Sequence, residues 1–281
     1  MFQASFRAAR PAFATIAFGL VLLAHPCVAA DTSEWDGDSR SAVRLIAAKP
    51  HAGVQRAGIQ IKLAPGWKTY WRYPGDSGVP PQFDFSASEN LKTADVLWPA
   101  PLRFSGVEGN TIGYKDDLVF PVHVEAKDRS RPVVLRMKLD YAVCEKLCVP
   151  AQAKAELPLG DASADSDAAV IGAERRVPRS VALGAKEPLA ITGVRREPGS
   201  PARISVDVVV PADAPVSLFA EGPTPEWALP LPDPVGGAPA GQKRFTFALD
   251  GLPPGAKPDG AVLKFTAVTA DQAIETTFRL E

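Results

Sequence analysis

Cys144 and Cys148 are the residues whose type and spacing point most directly to chemistry. Four positions apart, they can form an exchangeable disulfide, an inert staple, or a two-thiolate site for a soft metal ion. On one continuous strand their Cα atoms would stand about 13 Å apart, at ~3.3 Å per residue. A disulfide needs roughly 4.4–6.8 Å, so a bond between them requires the chain to reverse. The flanking residues offer that reversal. Residues 133–143 alternate like a strand, Glu145-Lys146-Leu147 make a three-residue loop, and a returning strand begins at Val149. The two cysteines would then face each other at the mouth of a hairpin, where paired Cα atoms lie about 4.5–5.5 Å apart. A ring this short adds little loop entropy to stability, and a tight ring favours a reducible bond. Lys146 would favour a thiolate and Glu145 would oppose it, so no direction of shift follows. Spacing alone leaves staple, exchange site and metal site open.

The compartment bears on that choice. Arg7 and Arg10, the apolar stretch 12–24 and the small residues Val28-Ala29-Ala30 before Asp31 have the layout of a secretory signal peptide, assigned to residues 1–30. The apolar run is too short to span a bilayer comfortably, and no other stretch is apolar enough for stable membrane insertion. Cleavage near Ala30 would remove Cys27 and leave Cys144 and Cys148 as an even pair in an oxidising compartment. The formal charge of −1 becomes −3 when Arg7 and Arg10 leave. With no long run of one sign, nucleic acid is not an expected partner.

The elements that must hold the pair read as β throughout. In 31–160 the segments 41–47, 58–63, 118–126, 133–143 and 153–159 alternate or are rich in β-branched residues, and turn residues bound most of them. Within 133–143, Val133, Leu135, Met137 and Leu139 alternate with Arg136 and Lys138, the pattern of a half-buried strand. Residues 161–186 change character: 165–176 suit a short helix with Ser163, Asp165 or Ser166 as N-cap, and Pro178 stops it. In 187–281 the segments 203–210, 216–220, 244–249, 261–269 and 274–280 alternate again, separated by Pro/Gly-rich turns at 232–241 and 251–260. The expected fold is all-β: two antiparallel sandwich domains, 31–160 and 187–281, joined by a linker with a short helix. The second domain carries no cysteine or histidine and reads as a structural or docking module.

Other chemistries find little support. The sequence has no G-x-S-x-G, H-E-x-x-H or P-loop. Asp76-Ser77-Gly78 and Asp116-Asp117 read as turns and solvated charges. After the leader, the only histidines are His51 and His123. A zinc site would need two ligands besides the cysteines, and no Cys/His cluster supplies them. His123, in the strand 118–126, reads as a half-buried strand residue. No cofactor is expected.

One family resemblance adds to this reading. The residues that carry it run in order: Gly66-Trp67-Lys68-Thr69-Tyr70-Trp71, Pro74-Gly75-Asp76-Ser77-Gly78 with Pro80-Pro81, Trp98-Pro99-Ala100-Pro101, and Gly113-Tyr114. They continue through 118–122 to Tyr141-Ala142-Val143-Cys144 and Cys148-Val149-Pro150. Over about residues 35–160 the chain resembles the N-terminal periplasmic (alpha) domain of the DsbD/ScsB thiol:disulfide interchange proteins. The linker is also similar, and the last hundred residues are loosely similar to the two-sandwich periplasmic part of ScsB-like proteins.

The resemblance implies immunoglobulin-like sandwiches and a protein-disulfide reductase-like oxidoreductase in a Gram-negative periplasm. Cys144 and Cys148 match the family's redox pair. Tyr70 and Trp71 match aromatic positions near it, with core packing as their plainer reading. Phe104 falls where the family has a cap loop whose Phe shields the cysteines. The implied partners are a membrane electron donor of the DsbD type and periplasmic thioredoxin-like proteins, with cytochrome c maturation among the processes served. Full-length members continue into a transmembrane conduit and a thioredoxin domain, which this sequence lacks, so a stand-alone form fed by another protein is expected. Two rivals stay in view. Cys-x3-Cys followed by Pro also resembles the motif of Sco-type copper chaperones, which would make Cys144 and Cys148 Cu(I) ligands, although the β pattern does not suit that family's thioredoxin fold. The other rival is an Ig-like adaptor with a structural disulfide.

Overall fold

The computed structural model describes residues 1, 30–106 and 109–281. The expected leader therefore lies outside the described residues, except for its two ends. No helix among the described residues is long and apolar enough to cross a membrane.

The N-terminal half contains β1 (Asp36–Gly37), β2 (Ser41–His51), β3 (Val54–Leu63), β4 (Lys68–Gly75), β5 (Gln82–Asp84) and β6 (Leu91–Val96). They are followed by β7 (Leu102–Gly106), β8 (Gly109–Lys115), β9 (Leu118–Ala126), β10 (Val134–Cys144) and β11 (Cys148–Pro158). One sheet has the order β1-β2-β3-β9-β6; the other runs β11-β10-β4-β8-β7, with β5 also on β10. The alternation visible in the sequence sends one face of each sheet inward. Val43, Leu45, Ile59, Ile61 and Phe120 of the first sheet meet Ile112, Tyr114, Leu135, Leu139 and Val143 of the second. Phe120 is the aromatic centre, with Trp98, Tyr114 and Phe83 set edge-on at 5.1–5.4 Å. Strands β2 and β3 join through Ala52 and Gly53, both at positive φ, as a two-residue hairpin turn requires.

The short helix expected in the linker is α1 (Ala164–Glu174), capped by Ser163, whose hydroxyl accepts from the Ser166 amide. It does more than connect. Val170 packs on Ile46 and Ala48, the outward face of β2, and a Cβ on Gly58 of β3 would lie 2.9 Å from Val170. Buried Arg56 donates to Glu174 at 2.6 Å, Asp167 at 2.9 Å and the Lys49 carbonyl at 2.8 Å. The helix thus covers the outer face of the first sheet.

The C-terminal half adds β12 (Arg179–Ser180), β13 (Ala190–Glu197), β14 (Arg203–Val209), β15 (Ser217–Glu221), β16 (Asp233–Val235), β17 (Gln242–Ala248), β18 (Val262–Val268) and β19 (Ala273–Arg279). Its sheets are β12-β19-β18-β15 and β13-β14-β17-β16. Their inner faces enclose Ile204, Val206, Phe219, Phe247, Phe265 and Ile274. Asp207 is a buried charge on β14, satisfied by Arg244 and Arg195.

The two sandwiches share one hydrophobic cluster. Trp71 of β4 packs against Phe219 of β15, ring centroids 5.8 Å apart. Arg72 grips Glu221 through two hydrogen bonds of 2.8 and 2.7 Å and also pairs with Glu275. The buried Tyr73 hydroxyl donates to the Trp227 and Leu229 carbonyls. Burial pushes that phenol up, which keeps it protonated as a donor.

Candidate redox site

The site grows from the β10–β11 hairpin. Their register runs unbroken from Val134 opposite Pro158 to Cys144 opposite Cys148, and Glu145-Lys146-Leu147 close the loop. The cysteines are joined as a disulfide, with Cα atoms 4.1 Å apart. Cys144 is half-buried, whereas Cys148 is exposed. Beside it at the loop tip, Leu147 is 75% exposed.

The neighbouring strand β4 supplies the next layer. Lys68 lies opposite Cys144 and Thr69 opposite Val143, and the Thr69 hydroxyl donates to the Ala142 carbonyl at 3.0 Å. Buried Tyr70 places its hydroxyl 2.8 Å from Cys148 Sγ. A disulfide sulfur carries no hydrogen, so the phenol is the donor. Gly78 lies against the ring: a Cβ there would stand 2.3 Å from Tyr70 Cε1. The segment between them is folded onto β8. The Asp76 amide donates to the Asn110 carbonyl at 2.9 Å, and Asp76 Oδ2 accepts from the Asn110 amide at 2.8 Å. The Pro74–Gly78 turn is thereby held under the tyrosine.

The opposite wall is β7. Phe104 is half-buried and pairs with Thr111 of β8. Lys68 Nζ sits 4.6 Å from the centre of its ring, a cation–π contact. Tyr70, Phe104, Lys68, Ile112 and both cysteines line one open cavity of about 290 Å³. The structure therefore brings Tyr70 and Phe104 to the pair. It does not bring Trp71 there. Successive strand side chains point to opposite faces, so Trp71 turns into the core, fully buried, under the Arg72 guanidinium. Its Nε1 has no hydrogen-bond partner. Neither His51 nor His123 lines the cavity. His123 instead faces Glu174 of α1 at 3.3 Å.

Lys68 and Gly78, which in the sequence stand only as parts of a motif, belong to the site as well. Their signal was available: Lys68 stands two positions before Tyr70, and Gly78 ends the turn that returns beneath it.

Chemically, this is a disulfide with one exposed cysteine and a hydroxyl donor on that cysteine's sulfur, in a cavity whose lining also holds the Lys68 ammonium and the Phe104 ring. Residues 40–159 match the family model described as thiol:disulfide interchange protein DsbD, N-terminal. The N-terminal sandwich belongs to this family. The DsbD-type segment begins just before β2 and ends just after β11, so it contains every residue lining the cavity. The crystal structure of the N-terminal periplasmic domain of ScsB from Proteus mirabilis superposes with a TM-score of 0.71 at 21% identity. The alignment covers 89% of this chain and 98% of that one. At that identity the likeness speaks for the fold, and its coverage takes in both sandwiches. No curated protein sequence matches the chain.

Proposed function

We propose that Cys144 and Cys148 are the working dithiol of a periplasmic thiol:disulfide interchange protein, which passes electron pairs from a membrane reductase to thioredoxin-like partners. The observation that carries this reading is the position of Cys148. It is an exposed residue at a hairpin end that lines the cavity, and its sulfur is hydrogen-bonded by Tyr70. A staple would be expected to sit buried and resist reduction.

To load the site, a donor thiolate attacks Cys148 Sγ. A donor–Cys148 disulfide forms and Cys144 leaves as a thiolate. The donor's second thiolate then attacks its own bonded sulfur, releasing Cys148 reduced. To unload, the Cys148 thiolate attacks a partner disulfide and expels one partner thiolate. Cys144 then attacks Cys148 Sγ, re-forming the internal bond and freeing the partner as a dithiol. Two electrons move in each direction. The Tyr70 hydroxyl stabilises the Cys148 thiolate whenever it is released, and Lys68, opposite Cys144 in the strand register and lining the same cavity, adds positive charge near the pair.

Trapping tests the assignment. With a thioredoxin-like protein lacking its own resolving cysteine, Cys144→Ser should accumulate a mixed disulfide through Cys148, whereas Cys148→Ser should accumulate little. Equal trapping by the two variants would remove Cys148 from the attacking role. Absence of any adduct would remove the exchange function.

A further inference from the structure

The loop that closes the redox hairpin carries an apolar residue where solvent favours a polar one. Leu147 directly precedes Cys148 and is 75% exposed. Among the described residues, only the terminal Met1 is a more exposed large apolar side chain. One exposed leucine means little by itself. This one stands next to the sulfur that the exchange reading sends to a partner.

Two further exposed apolar side chains stand beside the same site. Tyr70 leads to the first: its hydroxyl reaches Cys148 Sγ, its ring lies against Gly78, and the next residue, Val79, is exposed. The second is Leu102 of β7, also exposed. Leu102 and Tyr70 pair with Gly113 of β8 from its two sides. They therefore share a face of the sheet, two strand spacings or about 10 Å apart. Gly113 puts no side chain between them, and it lines the cavity together with Tyr70 and both cysteines.

We propose that Leu147, with Val79 and Leu102 beside the site, docks an apolar surface next to the reactive cysteine of a thioredoxin-like partner, so that Leu147 makes the site favour protein disulfides over small ones. The inference rests on the exchange reading above and names what that site recognises. The covalent step itself identifies the occupant. Two cysteines joined by a disulfide hold their Cα atoms roughly 4.4–6.8 Å apart, and consecutive Cα atoms are about 3.8 Å apart. A protein bonded to Cys148 is thus brought against Leu147. Its covering surface must be apolar, because a polar one would lose water there without gaining a partner. A small disulfide has no surface to spread over the leucine.

The test mixes the reduced full chain with an oxidised thioredoxin-like protein and, separately, with oxidised glutathione. In both reactions the Cys144–Cys148 bond forms while two electrons reduce the added disulfide, to a dithiol or to two glutathione thiols. Leu147→Ser should lower the second-order rate constant toward the protein about five- to thirty-fold, the value of burying most of one leucine side chain. It should leave the rate toward glutathione and the reduction potential of the pair unchanged. Leu147→Met should keep the wild-type rate toward the protein, and Val79→Ser should slow that rate selectively as Leu147→Ser does. An unchanged protein rate in Leu147→Ser, or an equal loss toward glutathione, would overturn the docking role alone. A wild-type chain that reduces oxidised glutathione but no thioredoxin-like disulfide is a separate result: it fails the exchange reading and removes the docking role with it.

Discussion

Reducing the Cys144–Cys148 bond in the intact protein separates an exchange site from a staple through stability. The bond closes a ring between residues only four positions apart. For so short a ring the chain-entropy relation gives about 2 kcal/mol at 25 °C, against ~4.7 kcal/mol for a 100-residue loop. The native hairpin does not depend on the bond, because the β10–β11 register continues from Val143–Val149 to Val134–Pro158. The inner face of β10 is also held by Leu135, Leu139 and Val143, all fully buried. The expected loss on reduction is therefore at most about 2 kcal/mol, or roughly 4–8 °C in Tm for a protein of this size. Thermal and urea unfolding with and without a phosphine reductant would read this directly, with the Cys144→Ser/Cys148→Ser double variant as a reductant-free control. A loss of about 5 kcal/mol or more, or unfolding of the N-terminal sandwich under reductant, would refute the reasoning and return the bond to a structural role.

Tyr70→Phe removes the hydroxyl donor on Cys148 Sγ. The thiolate titration of the reduced protein should move to higher pH, and alkylation at neutral pH should slow roughly two- to ten-fold, the value of one such bond. An unmoved titration would show that the hydroxyl does not serve the thiolate. Gly113→Ala would place a Cβ 2.0 Å from the Thr69 carbonyl oxygen, across the β4–β8 pair. It should cost about 1–3 kcal/mol in urea unfolding, and wild-type stability would contradict that close approach. Hydrogen bonds from Arg244 hold the Asp207 carboxyl below its ordinary range against the effect of burial, with Arg195 adding to them. A depressed folded-state pKa contributes stability above the unfolded value of about 3.9, and that contribution is lost as pH falls through the lower folded value. Asp207→Asn should therefore cost about 1–3 kcal/mol at pH 7, and its deficit against wild type should narrow below about pH 4. A deficit that stays constant with pH would show that the charge is not what stabilises.

The parts of this molecule governed by local pattern could be read from the residues. The hairpin that joins the cysteines follows from a strand, a three-residue loop and a returning strand. Residues 118–126 form β9 without a change of boundary. Strand β4 is the instructive case. The family resemblance sets Tyr70 and Trp71 together near the cysteines, but the two are consecutive residues of one strand. Two-residue periodicity allows only one of them to face the pair. The helix was legible from its cap and its length. Its packing on β2 was not, because the partners Arg56 and Asp167 are 111 positions apart. The ties between the sandwiches are farther still, with Arg72 and Glu275 separated by 203 positions. Pairing over such distances is decided by how sheets dock, and no pattern within either segment encodes it.

The reduction potential of the Cys144–Cys148 pair tests the central claim most directly, by equilibrating the protein in glutathione buffers and counting free thiols by alkylation. An exchange site predicts a value in the thioredoxin-to-isomerase range, about −270 to −180 mV. A value well below about −300 mV would contradict the account and identify the bond as a structural staple.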